Sequence, residues 1–215
     1  MGGSGKTELA KAIFGDYPIR AGRISVGGQP FAPSPSSAIA AGVICVPEDR
    51  KVEGVIQNLS VQRNIALASL GRIARAGVVN RAQERAIAAQ QVEELDIKTP
   101  SLVQKVGNLS GGNQQKVALG KWLAVHARIF ILMEPTQGID VGVKFEIYEL
   151  IARLAREGNA ILLVASELPE VLGLAHRVLV MRAGALAAEL DGFTARADDI
   201  LRHALGAQDV ADQPR

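Results

Sequence analysis

The chain opens on Gly2-Gly3-Ser4-Gly5-Lys6-Thr7, and this run constrains the fold more than any other stretch. It matches the later part of G-x-x-x-x-G-K-[ST], in which backbone N–H groups wrap phosphate oxygens at the start of a helix. Lys6 is placed to reach β and γ phosphates as a point charge, and the Thr7 hydroxyl to ligate Mg²⁺. Gly2, Gly3, Ser4, Gly5 and Glu8 complete the candidate cradle. Taken alone, the six residues fit a flexible glycine-serine leader equally well. A helical stretch from Thr7 to Phe14, with Leu9, Ala12 and Ile13 near helical spacing, follows at once and favours a phosphate loop. The first glycine of the pattern would precede Met1, and with it a central strand. The expectation is a chain incomplete at its N-terminus, with an apolar strand encoded in frame upstream.

Composition narrows the setting. At 215 residues and 48% apolar, the chain can bury one α/β core with a small subdomain attached. A formal charge of +2 leaves no electrostatic footprint for DNA or an anionic membrane, so no nucleic acid partner is expected. The single cysteine, Cys45, lies in an apolar run and fits a reduced compartment. Runs such as Ala160 to Ala165 are strand-length, far short of the roughly twenty residues of a membrane helix. Any membrane link is therefore expected to go through a partner, with the chain in the cytoplasm.

Periodicity then predicts the elements. Short strands are expected over Gly22 to Val26 and Val43 to Val46, with a helix opened by Ser34-Pro35 and closed by Gly42. Helices dominate from Ser60 to about Ala127, as Val61 to Leu70, Arg81 to Leu95 and Ser110 to His126. Strands at Ile129 to Leu132, Ala160 to Val164 and Val178 to Met181 then alternate with helices at Val143 to Arg156 and Pro169 to Gly173. Strands separated by helices imply a mostly parallel sheet flanked by helices. One domain over 1–206 is expected, with a helical subdomain at about 55–127 and a disordered tail over 207–215.

Leu109-Ser110-Gly111-Gly112-Asn113-Gln114-Gln115 is the most specific stretch. Ser110 can cap a helix, while Gly111 and Gly112 let backbone N–H groups approach a phosphate closely. The run resembles the ABC signature in its LSGGNQQ variant. Four further segments stand in the family's order: Val46-Pro47-Glu48-Asp49-Arg50 resembles the Q-loop region, Ile131-Leu132-Met133-Glu134 Walker B, Gly138-Ile139-Asp140 the D-loop and Val164-Ala165-Ser166-Glu167 the switch. The wording is most similar to the second nucleotide-binding domain of ribose- and galactose-type monosaccharide importers.

The resemblance implies a P-loop ABC-type nucleotide-binding domain that uses ATP and Mg²⁺. Its implied partners are a second ABC nucleotide-binding domain, transmembrane permease subunits and, indirectly, a sugar-binding protein, at the cytoplasmic face of the inner membrane. It implies Glu134 and Ser166 as catalytic residues, and Glu48, Ser110, Gly111, Gly112, Asn113 and Asp140 as further nucleotide-binding positions.

Three positions depart from the pattern common in the wider family. Glu48 stands at the Q-loop glutamine, as this subfamily commonly shows, and Ser166 stands at a γ-phosphate-sensing histidine. Met133 replaces a metal-holding aspartate, and a thioether is a poor ligand for a hard cation. Met133 is therefore expected to be a core residue, and the chain's own pocket to be impaired. This leaves a transport ATPase, a degenerate half that only completes a partner's site, and a nonfunctional fragment open. A DNA-repair or translation class would bring a zinc module, coiled coil or basic linker, none of which is visible. His126, His176 and His203 show no metal-like spacing, and Trp122 is expected to pack rather than stack on adenine.

Overall fold

The computed structural model describes residues 3–125 and 127–206, so the expectations for Gly2, His126 and the 207–215 tail lie outside the described residues. The chain divides into two compact units, Met1–Ala41 with Leu162–Arg215, and Gly42–Ile161.

In the first unit, α1 (Lys6–Phe14) starts and stops on glycines in the left-handed region, Gly5 at φ 91° and Gly15 at φ 99°. A Cβ on Gly15 would fall 2.4 Å from the Ser34 Cα, so glycine is required there for space as well as for conformation. β1 (Ile24–Val26) and β2 (Gln29–Phe31) form an antiparallel hairpin through Gly27 and Gly28. α2 (Pro35–Ala40) is opened by Ser34 in a reciprocal capping box with Ser37, as the Ser-Pro signal predicts.

The second unit holds the buried sheet. Every residue of β3 (Val43–Val46) is buried, and β3 runs parallel to the later strand β6 (Ile129–Met133), with Cys45 opposite Ile131. Continuous apolar runs of this kind are what a parallel strand covered on both faces requires. Between these strands lie α3 (Val61–Ala66), α4 (Leu70–Ile73), a small hairpin of β4 (Ala74–Arg75) and β5 (Val78–Val79), α5 (Arg81–Glu94) and α6 (Gly111–Leu123). α7 (Val141–Arg156) buries Ile147, Leu150, Ile151 and Leu154, the stripe read from the sequence. β7 (Ala160–Val164) completes the order β3-β6-β7 and carries the chain out of this unit.

Back in the first unit come α8 (Leu168–Leu174), β8 (Arg177–Arg182), β9 (Ala185–Asp191) and α9 (Ala197–Leu205). β8 and β9 pair antiparallel, and Val178, Val180 and Ile200 form their core. The α/β class and the parallel pairing hold. Three details differ from the periodicity reading. The expected helix Val61 to Leu70 breaks at Ala66 into a 3₁₀ turn, Arg50–Gly54 forms a π-helix where no element was expected, and β2, β4, β5, β9 and α9 were not anticipated. Among the described residues no helix is long and apolar enough to cross a membrane.

Candidate nucleotide site

The first unit assembles the phosphate-loop half. Gly3 and Gly5 both sit at φ 91°, a conformation only glycine adopts without strain, and it turns the loop into the N-terminus of α1. Gly184 N–H donates to the Ser4 carbonyl at 3.0 Å, so the β8–β9 turn braces the loop. A Cβ on Gly5 would meet the Gly184 Cα at 2.8 Å. Lys6 Nζ donates to Ser166 Oγ at 2.5 Å across 160 residues of sequence, which brings two of the expected site residues together. Thr7 is half-buried and Glu8 exposed in the first turn of α1. An amine, a hydroxyl and a glycine backbone at a helix N-terminus fit the oxygens of a phosphate chain.

The second unit assembles the signature half. Ser110 is the residue before α6, but its side chain does not cap the helix as expected. Asn113 intervenes: its Nδ2 donates to Ser110 Oγ at 2.9 Å, and its Oδ1 accepts from the Lys98 N–H at 2.7 Å. The amide thus ties the signature serine to the loop behind α5. Gly112 has no room for a side chain, since a Cβ would lie 2.7 Å from Val143 Cγ1. Asp140 precedes α7, likewise without a side-chain cap.

Met133 is 1% exposed at the end of β6, and the Cys45 thiol donates to its Sδ at 3.6 Å. This is the core position expected, and a sulfur pair of this kind does not fit a hard cation. Glu134 follows at φ 44°, buried, a non-glycine residue held in a sparsely populated conformation. Glu48 is half-buried just past β3. Among the described residues no three His, Cys, Asp or Glu side chains gather as a metal site.

A family model described as ABC transporter matches residues 1–137. The chain belongs to the ABC transporter family. Family membership implies nucleotide binding. The chain is 44% identical over 205 residues to the ribose import ATP-binding protein RbsA 1 of Streptomyces coelicolor, covering 95% of this chain and 41% of that protein. It is 48% identical over 191 residues to the arabinose import ATP-binding protein AraG of Yersinia pestis, covering 88% and 36%. It thus spans about two fifths of the length of the curated relatives it matches. Among solved structures, a nucleotide-free ATP-binding cassette from an ABC transporter superposes with a TM-score of 0.76 at 19% identity, covering 99% of this chain and 84% of that one. A dimeric cassette bound to ADP and Pi gives 0.73 at 18% identity, covering 87% and 81%. At these identities the likeness is one of fold.

Within this ABC fold the sequence reading missed two contacts. Arg50 lies in the charged stretch after β3, and its guanidinium donates to the Gln137 carbonyl at 2.7 Å and the Gly138 carbonyl at 3.1 Å. Lys121, on α6, is buried and donates to the Gly54 carbonyl at 2.7 Å, and burial lowers its amine to about 8. Backbone acceptors leave no pattern in side-chain identity, so only the fold reveals either contact.

Proposed function

We propose that this chain is an ATP-binding component of an ABC importer, coupling ATP binding and hydrolysis to uptake of a monosaccharide. The observation that carries the nucleotide reading is the Lys6–Ser166 contact at the glycine-held phosphate loop. The relatives named for ribose and arabinose import support the sugar class. In this reading Gly2, Gly3, Ser4, Gly5, Lys6, Thr7 and Glu8 hold the phosphates, and Ser166 senses the γ-phosphate by hydrogen bonding. Ser110, Gly111, Gly112, Asn113 and Asp140 face the nucleotide of a second cassette, and Glu48 lies at the Q-loop. Permease subunits carry the cargo, with the chain peripheral on the cytoplasmic face of the membrane. Mg²⁺, when bound, would neutralise developing phosphate charge, with Thr7 as the hydroxyl that would hold it.

The Cys45–Met133 sulfur pair favours a refinement. The chain's own pocket is impaired, and its signature loop contributes more to turnover than its Glu134 does. Titration of a fluorescent ATP analogue tests the binding reading. Lys6→Ala removes a charged hydrogen bond worth about 1.5–3 kcal/mol, so affinity falls about tenfold to a hundredfold. An unchanged dissociation constant returns the loop to a simple glycine-serine leader. In the assembled transporter, Ser110→Arg abolishes most steady-state ATP hydrolysis while Glu134→Gln reduces it modestly. Equal loss in both variants would mean that this pocket is catalytic.

A further inference from the structure

The Arg50–Gly54 π-helix is pinned at both ends. At its start the Asp49 carboxylate accepts from the Lys51 and Val52 N–H groups at 2.9 and 3.1 Å. At its end the Gly54 carbonyl accepts from Lys121 on α6, and a Cβ on Gly54 would touch Ala118 of the same helix at 3.6 Å. Arg50 therefore leaves a fixed base. Its two Nη groups fork onto the Gln137 and Gly138 carbonyls, and its buried Nε has no hydrogen-bond partner, so these two bonds hold the guanidinium. Gly138 itself is left-handed, at φ 63°.

The third side of this arrangement is the signature turn. A Cβ on Gly111 would lie 2.7 Å from Arg50 Nη2 and 3.3 Å from the Gly138 carbonyl oxygen. Gly111 has no positive φ, so its backbone conformation accepts other residues, but a side chain there pushes the Arg50 guanidinium from its place. A planar fork can bridge two carbonyls while lying flat under a glycine, which the point charge of a lysine cannot do. The cation also adds to the positive end of the α6 dipole, where an anion would be bound.

We propose that Arg50 is a positioning residue that sets the spacing between the signature turn at Gly111 and the turn at Gly138, and so shapes the surface offered to a nucleotide on a second cassette. The functional part of this inference rests on the nucleotide reading above. The geometric part does not, and the two are separable by experiment.

Hydrogen exchange of the 215-residue chain, which needs no nucleotide, reads the geometry. Arg50→Lys, Arg50→Ala and Gly111→Ala should each speed exchange of the Gln137 N–H, which donates to the Glu134 carbonyl at 3.0 Å, by about tenfold or more, with β6 unchanged as the sign of an intact fold. Because Gly111→Ala acts mainly by displacing the guanidinium, most of its effect should vanish in the Arg50→Ala background, leaving only what its 3.3 Å approach to the Gly138 carbonyl causes. Additive effects, or a Gly111→Ala chain that exchanges like the parent, overturn the placement.

In the assembled transporter, Arg50→Lys should lower kcat for ATP hydrolysis about tenfold while affinity for the fluorescent ATP analogue and KM stay within about twofold. A parallel loss of affinity and kcat, or no loss of kcat, overturns the positioning role. If Lys6→Ala leaves nucleotide affinity untouched, it is the nucleotide reading that fails, and the exchange result still decides the placement of Arg50.

Discussion

In the unit of Met1–Ala41 and Leu162–Arg215, the phosphate loop is shaped by backbone conformation. Two glycines at φ 91° and one hydrogen bond from Gly184 hold it, and Ser166, which meets Lys6, is exposed. In the unit of Gly42–Ile161, the signature turn is shaped by side chains. α6 is buried continuously from Gln114 to Lys121, Asn113 fastens Ser110, and Arg50 fills the space a Cβ on Gly111 would need. A loop held by conformation can lose a side chain and keep its shape. A turn held by interlocking side chains transmits every change into the packing. Substitutions in the first unit should therefore alter binding with little loss of stability, and those in the second should alter stability first.

Position 133 gives the largest expected effect. Met133→Asp places a carboxylate beside the Cys45 sulfur at a site 1% exposed. An uncompensated buried charge costs about 3–5 kcal/mol, whereas the near-isosteric Met133→Leu costs less than about 1.5 kcal/mol. Restoring the aspartate should therefore destabilise the chain in metal-free buffer, whatever it does for turnover once Mg²⁺ is present. Urea unfolding of the three chains decides this. Equal midpoints for Met133→Asp and Met133→Leu would break the contrast, because they would mean that water reaches the end of β6.

Lys121 offers a smaller effect with a definite pH window. Burial lowers its amine from 10.5 to about 8 in the folded chain, so between these values the unfolded chain binds more protons than the folded one. Stability should rise with pH across that window and be flat with respect to this group below about 8. A shift of 10.5 − 8 corresponds to at most about 3 kcal/mol at 1.36 kcal/mol per unit. Lys121→Met should remove this part of the slope. Urea midpoints at pH 7.5, 9 and 10.5 test it, and parallel slopes for parent and variant would show the amine to be ordinarily solvated.

How much of this was legible in the sequence follows from the same contrast. β3, β6 and α7 could be read because burial imposes continuous apolar runs or a helical stripe on neighbouring residues, and β7 because its run is apolar throughout, although only Val164 of it is buried. β9 could not. Its run Ala-Leu-Ala-Ala-Glu-Leu-Asp favours helix intrinsically, and pairing with β8 overrides that preference. In the candidate site, the glycine pattern identified Lys6, and motif order identified Ser166, but their contact spans 160 residues of sequence and needed the fold. The Cys45–Met133 pair follows from the register that sets Cys45 opposite Ile131, two residues before Met133 on the same face. Without that register the two sulfurs are unrelated letters. Arg50 was hidden for a different reason: a charge in a charged stretch reads as solvated, and its acceptors are carbonyls.

The smallest expected effect lies in the first unit. Ser34 accepts from the Ser37 N–H at 3.2 Å, and Ser37 Oγ accepts from the Ser34 N–H at 2.9 Å, so each satisfies an otherwise orphaned donor at the start of α2. The Gly15 turn at the end of α1 packs directly against the Ser34 backbone. Ser34→Ala removes one capping acceptor but no backbone, so it should cost about 1 kcal/mol of stability. Because the phosphate loop sits at the other end of α1 and takes its shape from its own glycines, affinity for the fluorescent ATP analogue should be unchanged. Thermal unfolding and the titration, run on the same variant, test the two halves of the statement. A Ser34→Ala chain that loses affinity along with stability would show that the loop depends on packing at the far end of its helix, and the division between a conformational half and a packed half would fall.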